Sequence, residues 1–302
     1  VPTVRQLEYL VAVADVRHFR RAAERVHTTQ PTLSGQLKAL EERLGVQLVE
    51  RSRSRVVMTP IGAEIVEVAR RVLRDVKDIR SLAASREDRF AGLIRLGLPP
   101  TIGPFLVPRL VPDLHREYPK LKLYVREEVP YTLPPGLNDG SHDVVIMPLP
   151  VRGSDFETME LFKEPLYLAM PKDHVLSRKD VIHRNDLRNA PILALGSGHQ
   201  LTQQVQQLCD EVGARLQFDF EGTSLDTLRE MVGTGLGLTF LPGLYVKTTL
   251  LRDKSIKTMP IAGLKPTRTI GMIWRKSAAR RASFEELGRF FRTIIAREFP
   301  DL

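Results

Sequence analysis

The sequence predicts a small winged helix-turn-helix at the N-terminus, one long helix after it, and then an α/β domain. Three observations predict it. Two short amphipathic stretches flank His27-Thr28-Thr29 within the first 45 residues. From Thr59 to about Arg89 the apolar residues advance by alternating fours and threes, with no glycine after Gly62. Beyond Gly92, short apolar runs of strand type alternate with helical stretches.

Each element has a local cause. Thr3-Val4-Arg5-Gln6 is a capping box, in which the Thr hydroxyl and the Gln side chain satisfy free backbone donors. Leu7, Leu10, Val11 and Ala14 follow at helical spacing, so a first helix runs to about Asp15. Phe19, Ala22, Ala23 and Val26 mark a short second helix. A third carries Leu33, Leu37, Leu40 and Leu44 on one face and stops at Gly45. Thr29 can cap it, and Pro31 in its first turn loses no needed hydrogen bond. Its other face presents Gln30, Thr32, Ser34, Gln36 and Lys38 beside Pro31, groups suited to base edges and phosphates. Leu48 to Arg51 and Val56 to Met58 read as two short strands around Ser52-Arg53-Ser54-Arg55. That is a wing whose Arg51, Arg53 and Arg55 can lie along a phosphate backbone.

Thr59-Pro60 starts the long helix, and Ile65, Ala69, Val72, Val76, Ile79 and Ala83 form a heptad seam along it. A seam of this kind predicts a homodimer through residues 60–89, which brings two readers to two half-sites. A helix packed on its own domain is the plainer alternative.

In the remainder, Leu93 to Leu98, Leu121 to Glu127 and Asp143 to Met147 read as strands, with a helix over Leu106 to Tyr118. Further strands are expected at Leu166–Ala169, Ile192–Leu195, Gln217–Glu221, Leu238–Leu241 and Thr269–Trp274. Helices are expected at about Leu201–Val212, Leu225–Gly233 and Ser283–Phe299. The alternation predicts mostly parallel sheets, and ligands of such sheets sit beyond the strand ends against helix N-termini. Pro99–Gly103, Gly196–Thr202 and Gly222–Leu225 are loops of that type, although each taken singly is more simply a capped helix start.

Composition narrows the function. The 45 basic against 36 acidic residues leave a net charge of +9, which favours a polyanionic partner such as double-stranded DNA. A single cysteine, Cys209, leaves no intramolecular disulfide and no multi-cysteine metal site, and the seven histidines show no ligand spacing. No metal and no cofactor are expected. Nucleophile-elbow, zinc-protease, P-loop and dinucleotide motifs are all missing, so an enzyme is not expected. Gly233-Thr234-Gly235-Leu236-Gly237 follows a helix and precedes a strand, the wrong order for a nucleotide loop. No leader and no apolar span of membrane length is seen, so a cytoplasmic protein without a membrane partner is expected.

Residues 3–62 resemble the winged helix-turn-helix of LysR-type transcriptional regulators, above all in Phe19-Arg20-Arg21-Ala22-Ala23 and Gln30-Pro31-Thr32-Leu33-Ser34. The resemblance covers essentially the whole chain and is nearest to the peroxide-sensing OxyR branch. Arg5 to Ala12, Thr223 to Arg229 and Arg268-Thr269-Ile270-Gly271 carry that part of it. It implies a DNA-binding domain over 1–59, a linker helix over 60–89 and a regulatory domain over 90–302. The last would consist of two subdomains like those of periplasmic binding proteins, 92–164 with 268–302 and 165–267. It also implies homotetramers, with promoter DNA and RNA polymerase as partners.

In that branch a reactive cysteine follows Gly-His, a second lies nine residues on, and oxidation joins them. Here Gly198-His199 is followed by Gln200, and Cys209 occupies the second, resolving position. An amide cannot become a sulfenic acid. The resemblance therefore implies a small-molecule effector in the crevice between subdomains, bound by Thr101, Ile102, Pro130, Gly198, His199, Gln200, Thr202, Thr223 and Arg268. The alternative is a peroxide sensor whose reactive cysteine has been replaced. A bare solute-binding module would leave the basic helix-turn-helix unexplained. Cys209 lies beside Leu201, Val205 and Leu208 at helical spacing, where a small buried hydrophobe is expected.

Overall fold

The computed structural model describes residues 1–302 except 52–55, 85–89, 152, 218–221, 223 and 251–252, with the backbone alone at 51, 78 and 80–84. The chain divides into two compact units, 1–86 with 138–141, and 87–137 with 142–302.

In the first unit α1 (Val4–Val16) starts on the Thr3 capping box: Gln6 N donates to Thr3 Oγ1 at 3.2 Å, and Thr3 N donates to Gln6 Oε1 at 3.1 Å. α2 (Phe19–Arg25) is capped instead by His18, whose Nδ1 accepts from Arg21 N. α3 (Gln30–Leu44) begins at Thr29, which accepts from Thr32 N, and ends at Gly45 in the left-handed region at φ 69°. β1 (Val49–Arg51) and β2 (Val56–Met58) pair antiparallel, and α4 (Pro60–Ala84) follows. Leu33, Leu37 and Leu40 bury against Leu10, Val13, Ala22, Ala23 and Leu48 in one core.

The heptad seam on α4 splits in two. Ala69 and its neighbour Val66 are buried in that core, with Ile65 packed against it, because the first turns of α4 lie on α1. Val72 and Ile79, one heptad apart, are exposed. The start of α4 is thus a core-facing helix, and what is left of a seam lies further along.

The second unit is built on a sheet ordered β10-β6-β13-β5-β3-β4, with β11 also on β6. Its strands are β3 (Gly92–Leu98), β4 (Leu121–Glu127), β5 (Val144–Leu149), β6 (Phe156–Pro171), β10 (Thr239–Pro242), β11 (Ile256–Met259) and β13 (Thr267–Arg275). In this sheet the expectation of mostly parallel pairing is corrected, since only β3 pairs parallel, with β4 and β5. Two small sheets elsewhere in this unit, Ile182–His183 with Ile261–Ala262 and Pro191–Ile192 with Arg215–Leu216, are parallel as expected. β6 and β13 run antiparallel to each other, and also to their neighbours β10, β11 and β5. One carries the chain into a second lobe and the other brings it back, so their directions must oppose. Of β6 only Leu166–Ala169 is legible as a strand in the sequence, because Lys163-Glu164-Pro165 interrupts its apolar run.

The first lobe adds α5 (Gly103–Glu117), α6 (Leu133–Asp139) and α10 (Arg281–Glu298). α5 starts earlier than expected, with proline in its first turn, and it tolerates Pro108 and Pro112 because Leu106, Leu110 and Leu114 anchor one face. The second lobe holds β7 (Ile182–His183) beside β12 (Ile261–Ala262), β8 (Pro191–Ile192) beside β9 (Arg215–Leu216), α7 (Gln200–Val212), α8 (Leu225–Gly233) and α9 (Gly243–Thr249). The strand expected at Gln217–Glu221 falls, after Gln217, outside the described residues. Each lobe has its own core, and Phe105 packs against both, meeting Tyr245 edge-on at 5.0 Å between ring centres.

Candidate functional site

On the first unit, α3 turns its leucines inward and leaves Gln30, Pro31, Thr32, Gln36 and Lys38 exposed, with Ser34 half-buried. The Thr32 hydroxyl lies 2.8 Å from that of Thr29, so the cap also orients it. Gln36 is held from the protein side: its Oε1 accepts from Nε2 of the buried Gln6 at 3.2 Å. Lys38 meets Glu42 at 3.7 Å, both largely exposed, a pair worth at most about 1 kcal/mol. Arg5 braces the assembly, its guanidinium over the Tyr9 ring and its Nη2 donating to Val26 O at 2.9 Å. The Arg51 backbone is in β1, whereas Arg53 and Arg55 lie outside the described residues.

On the second unit, the loop 196–199 leads straight into α7. Thr202 Oγ1 donates to Leu195 O at 2.8 Å and Gly196 O at 3.1 Å, which clips the loop to the first turn. His199 is the N-cap residue, yet its side chain makes no capping bond. It is 3% exposed, and its Nδ1 is buried with no hydrogen-bond partner among the described residues. Gln200, half-buried, is the first residue of the helix. Tyr131, 68% exposed on the 3₁₀ turn Pro130–Thr132, reaches across from the first lobe: a Cβ on Gly198 would stand 3.2 Å from its ring. Pro130 itself is buried.

Burial holds the His199 imidazole below its ordinary value of 6.5, so it is neutral at pH 7. Above the unfolded value neither state is protonated and stability is flat with pH. As pH falls through that value, the unfolded chain takes up a proton that the folded chain refuses, so stability declines until the folded value is passed. Urea midpoints of the wild type are therefore expected to fall more steeply than those of His199→Gln as pH drops through and below 6.5. Parallel midpoints would show that the imidazole is solvated.

Cys209 sits nine residues after Gln200. It is 1% exposed among Leu201, Val205 and Leu208, and burial, with Asp210 adding, pushes its thiol up to about 12. A protonated, enclosed thiol is inert.

Three other candidates are engaged inside the protein. Arg268 is 1% exposed; its Nε donates to Glu164 Oε1 at 2.6 Å, and its Nη1 and Nη2 donate to Thr101 Oγ1 at 3.4 Å and Thr101 O at 3.1 Å. Ile102 is fully buried in the first lobe's core. Thr223 lies outside the described residues. Glu164, which the sequence reading missed, completes the cluster by accepting from Leu244 N at the start of α9, at 2.7 Å. An acid inside an apolar strand was its only signal. Tyr131 was missed as well, and nothing in its loop singles it out. Among the described residues no carboxylate, histidine and cysteine group could hold a metal ion, and no helix is long and apolar enough to cross a membrane.

Residues 4–63 match the family model for the bacterial regulatory helix-turn-helix protein, lysR family, and residues 87–295 match that for the LysR substrate binding domain. The DNA-binding transcriptional dual regulator OxyR of Escherichia coli (strain K12) is 40% identical over 296 residues, covering 98% of this chain and 97% of that protein. A hydrogen peroxide-inducible genes activator of Dickeya chrysanthemi is 40% identical over 284 residues, covering 94% of this chain and 93% of its own. Among solved structures, a full-length OxyR from Pseudomonas aeruginosa bearing a cysteine-to-aspartate change superimposes with a TM-score of 0.78 at 39% identity. It covers 96% of this chain, which covers 94% of it.

Proposed function

The chain belongs to the LysR family of bacterial transcription regulators, and from that premise we propose that this OxyR homologue answers to a bound small molecule rather than to a disulfide. It is a DNA-binding regulator and not an enzyme. The observation that carries the proposal is Gln200 at the first position of α7, with the sole cysteine enclosed nine residues on. The segment keeps the parts a ligand would use: the Gln200 amide, a neutral buried imidazole at His199, and the Tyr131 ring over Gly198. Thr101 and Arg268 act from behind, by fixing Glu164 at the crossover between the lobes, instead of touching the effector.

In this reading residues 1–59 read promoter DNA in the cytoplasm, 60–89 pair two chains, and 90–302 bind effector and assemble tetramers. Arg51, Arg53 and Arg55 follow the phosphates, and RNA polymerase is the downstream partner. An effector shifts the population only if it binds one state of the regulatory domain more tightly than the other. The alternative, a peroxide sensor deprived of its reactive cysteine, draws on the names of the relatives.

The test is a peroxide titration of the wild-type protein on a DNA duplex it selects from a random pool. Unchanged affinity and footprint are expected at peroxide concentrations that oxidise a reactive-cysteine sensor. A response there would overturn the proposal.

A further inference from the structure

Each glycine of the first unit has a reason for being glycine, except one. Gly45 takes φ 69°, which side chains resist. At Gly62 a Cβ would stand 2.1 Å from Leu48 O. Gly35 meets neither condition. It sits inside α3, is absent from the residues of positive φ, and a Cβ there would meet nothing within 4 Å. It is not a cap, since α3 begins at Thr29 and ends at Gly45. Glycine is the poorest helix former after proline, so the chain carries a weak residue that its own packing does not require.

Position identifies what does require it. At about 100° per residue, Gly35 lies diametrically opposite the stripe of Leu33, Leu37 and Leu40. It is the outermost line of the helix, flanked by Pro31 one turn before and Lys38 one turn after, all three exposed. Missing side-chain volume at the crest of a groove-reading helix lets backbone approach a partner closely.

We infer that Gly35 is a contact notch: its missing side chain lets the α3 backbone seat against base edges on the floor of the major groove, and so sets how deeply Thr32 and Gln36 reach. The inference rests on the reading of α3 as the recognition helix. Duplex DNA with a stepped groove floor is the partner, and Gly35 is a specificity-determining residue although it donates no side-chain bond.

The opposite signs of two readouts test it. In full-length protein, Gly35→Ala leaves the fold intact and raises the thermal midpoint, because alanine is the better helix former and nothing obstructs its methyl. The same change weakens binding to a duplex selected by the wild type about tenfold or more, on the scale of a mismatched base pair, and leaves random-sequence DNA bound within about twofold. Gly35→Ser behaves alike. Wild-type affinity and base preference in Gly35→Ala would overturn the inference. Gln30→Ala and Thr32→Ala, measured in parallel, separate the two readings. If they alter base preference while Gly35→Ala does not, only the notch fails. If none of the three alters binding, α3 is not the reader and both fail.

Discussion

Glu164→Ala is expected to lower the stability of the second unit by about 3–5 kcal/mol, read as a fall in urea midpoint at unchanged slope. Both partners of the Glu164–Arg268 pair have fully buried side chains, and the carboxylate uses one oxygen on Arg268 Nε and the other on Leu244 N. Its removal leaves a guanidinium in the interior with only Thr101 to answer it, and orphans a backbone donor at the start of α9. Exposed pairs such as Arg20–Glu24 contribute a small fraction of that figure, since water screens them before and after mutation.

Two further variants decide the cause. Glu164→Gln keeps an acceptor for Leu244 N and should fall between wild type and alanine. A Glu164→Leu, Arg268→Met double replacement should recover most of the loss, because the penalty comes from an uncompensated charge more than from a missing attraction. Retention of the wild-type midpoint in Glu164→Ala would mean that water reaches the pair. The location gives the cluster a second role. Glu164 and Arg268 stand where β6 and β13 cross between lobes, Thr101 precedes α5 in one lobe, and Leu244 opens α9 in the other. Of these bonds Leu244 N to Glu164 spans the two lobes, so a change in lobe angle has to work against that one, while Arg268 and Thr101 fix the carboxylate that accepts it.

What the sequence reveals here follows from which forces are local. Caps and periodicity are local, so the Thr3 box, the Thr29 cap, the Gly45 stop and the leucine stripe of α3 are legible residue by residue. The burial of Cys209 beside Leu201, Val205 and Leu208 is legible for the same reason. Strand direction is not, because parallel and antiparallel neighbours leave the same apolar run; β6 and β13 extend beyond their apolar stretches and pair antiparallel. The division of the α4 seam depends on α1, which contacts its first turns and leaves Val72 and Ile79 bare. At the site, Thr101 and Arg268 stand out by type, but whether they face a ligand or each other depends on a carboxylate 104 residues away in the chain. A family pattern names such residues without telling which way they turn.

The largest functional change is expected from Gln200→Cys, which should make DNA binding depend on peroxide. A thiol at the first position of α7 has the helix N-terminus to favour its thiolate. The thiolate attacks one oxygen of hydrogen peroxide and the O–O bond breaks. The sulfur is oxidised to sulfenic acid, and the departing hydroxide leaves as water after taking a proton. Cys209 can then displace a second water from that sulfenic acid, forming the disulfide. Geometry puts a condition on the second step. Nine residues along an intact α7 separate the two positions by about 13 Å and half a turn of phase, whereas bridged Cα atoms lie about 4.4–6.8 Å apart. The bond can form only if α7 unwinds, which would also pull Leu201, Val205 and Leu208 from the second lobe's core.

The disulfide should therefore appear together with a loss of helical circular dichroism and an altered footprint on DNA. Gln200→Cys with Cys209→Ser should stop at sulfenic acid and keep its helix. A disulfide formed without loss of helicity would refute the placement of Cys209 on the far side of α7. The Cys209 thiol, held near 12 while buried, adds that the second step waits for opening of the helix rather than for peroxide. Its rate should thus be independent of peroxide concentration once the first step is saturated.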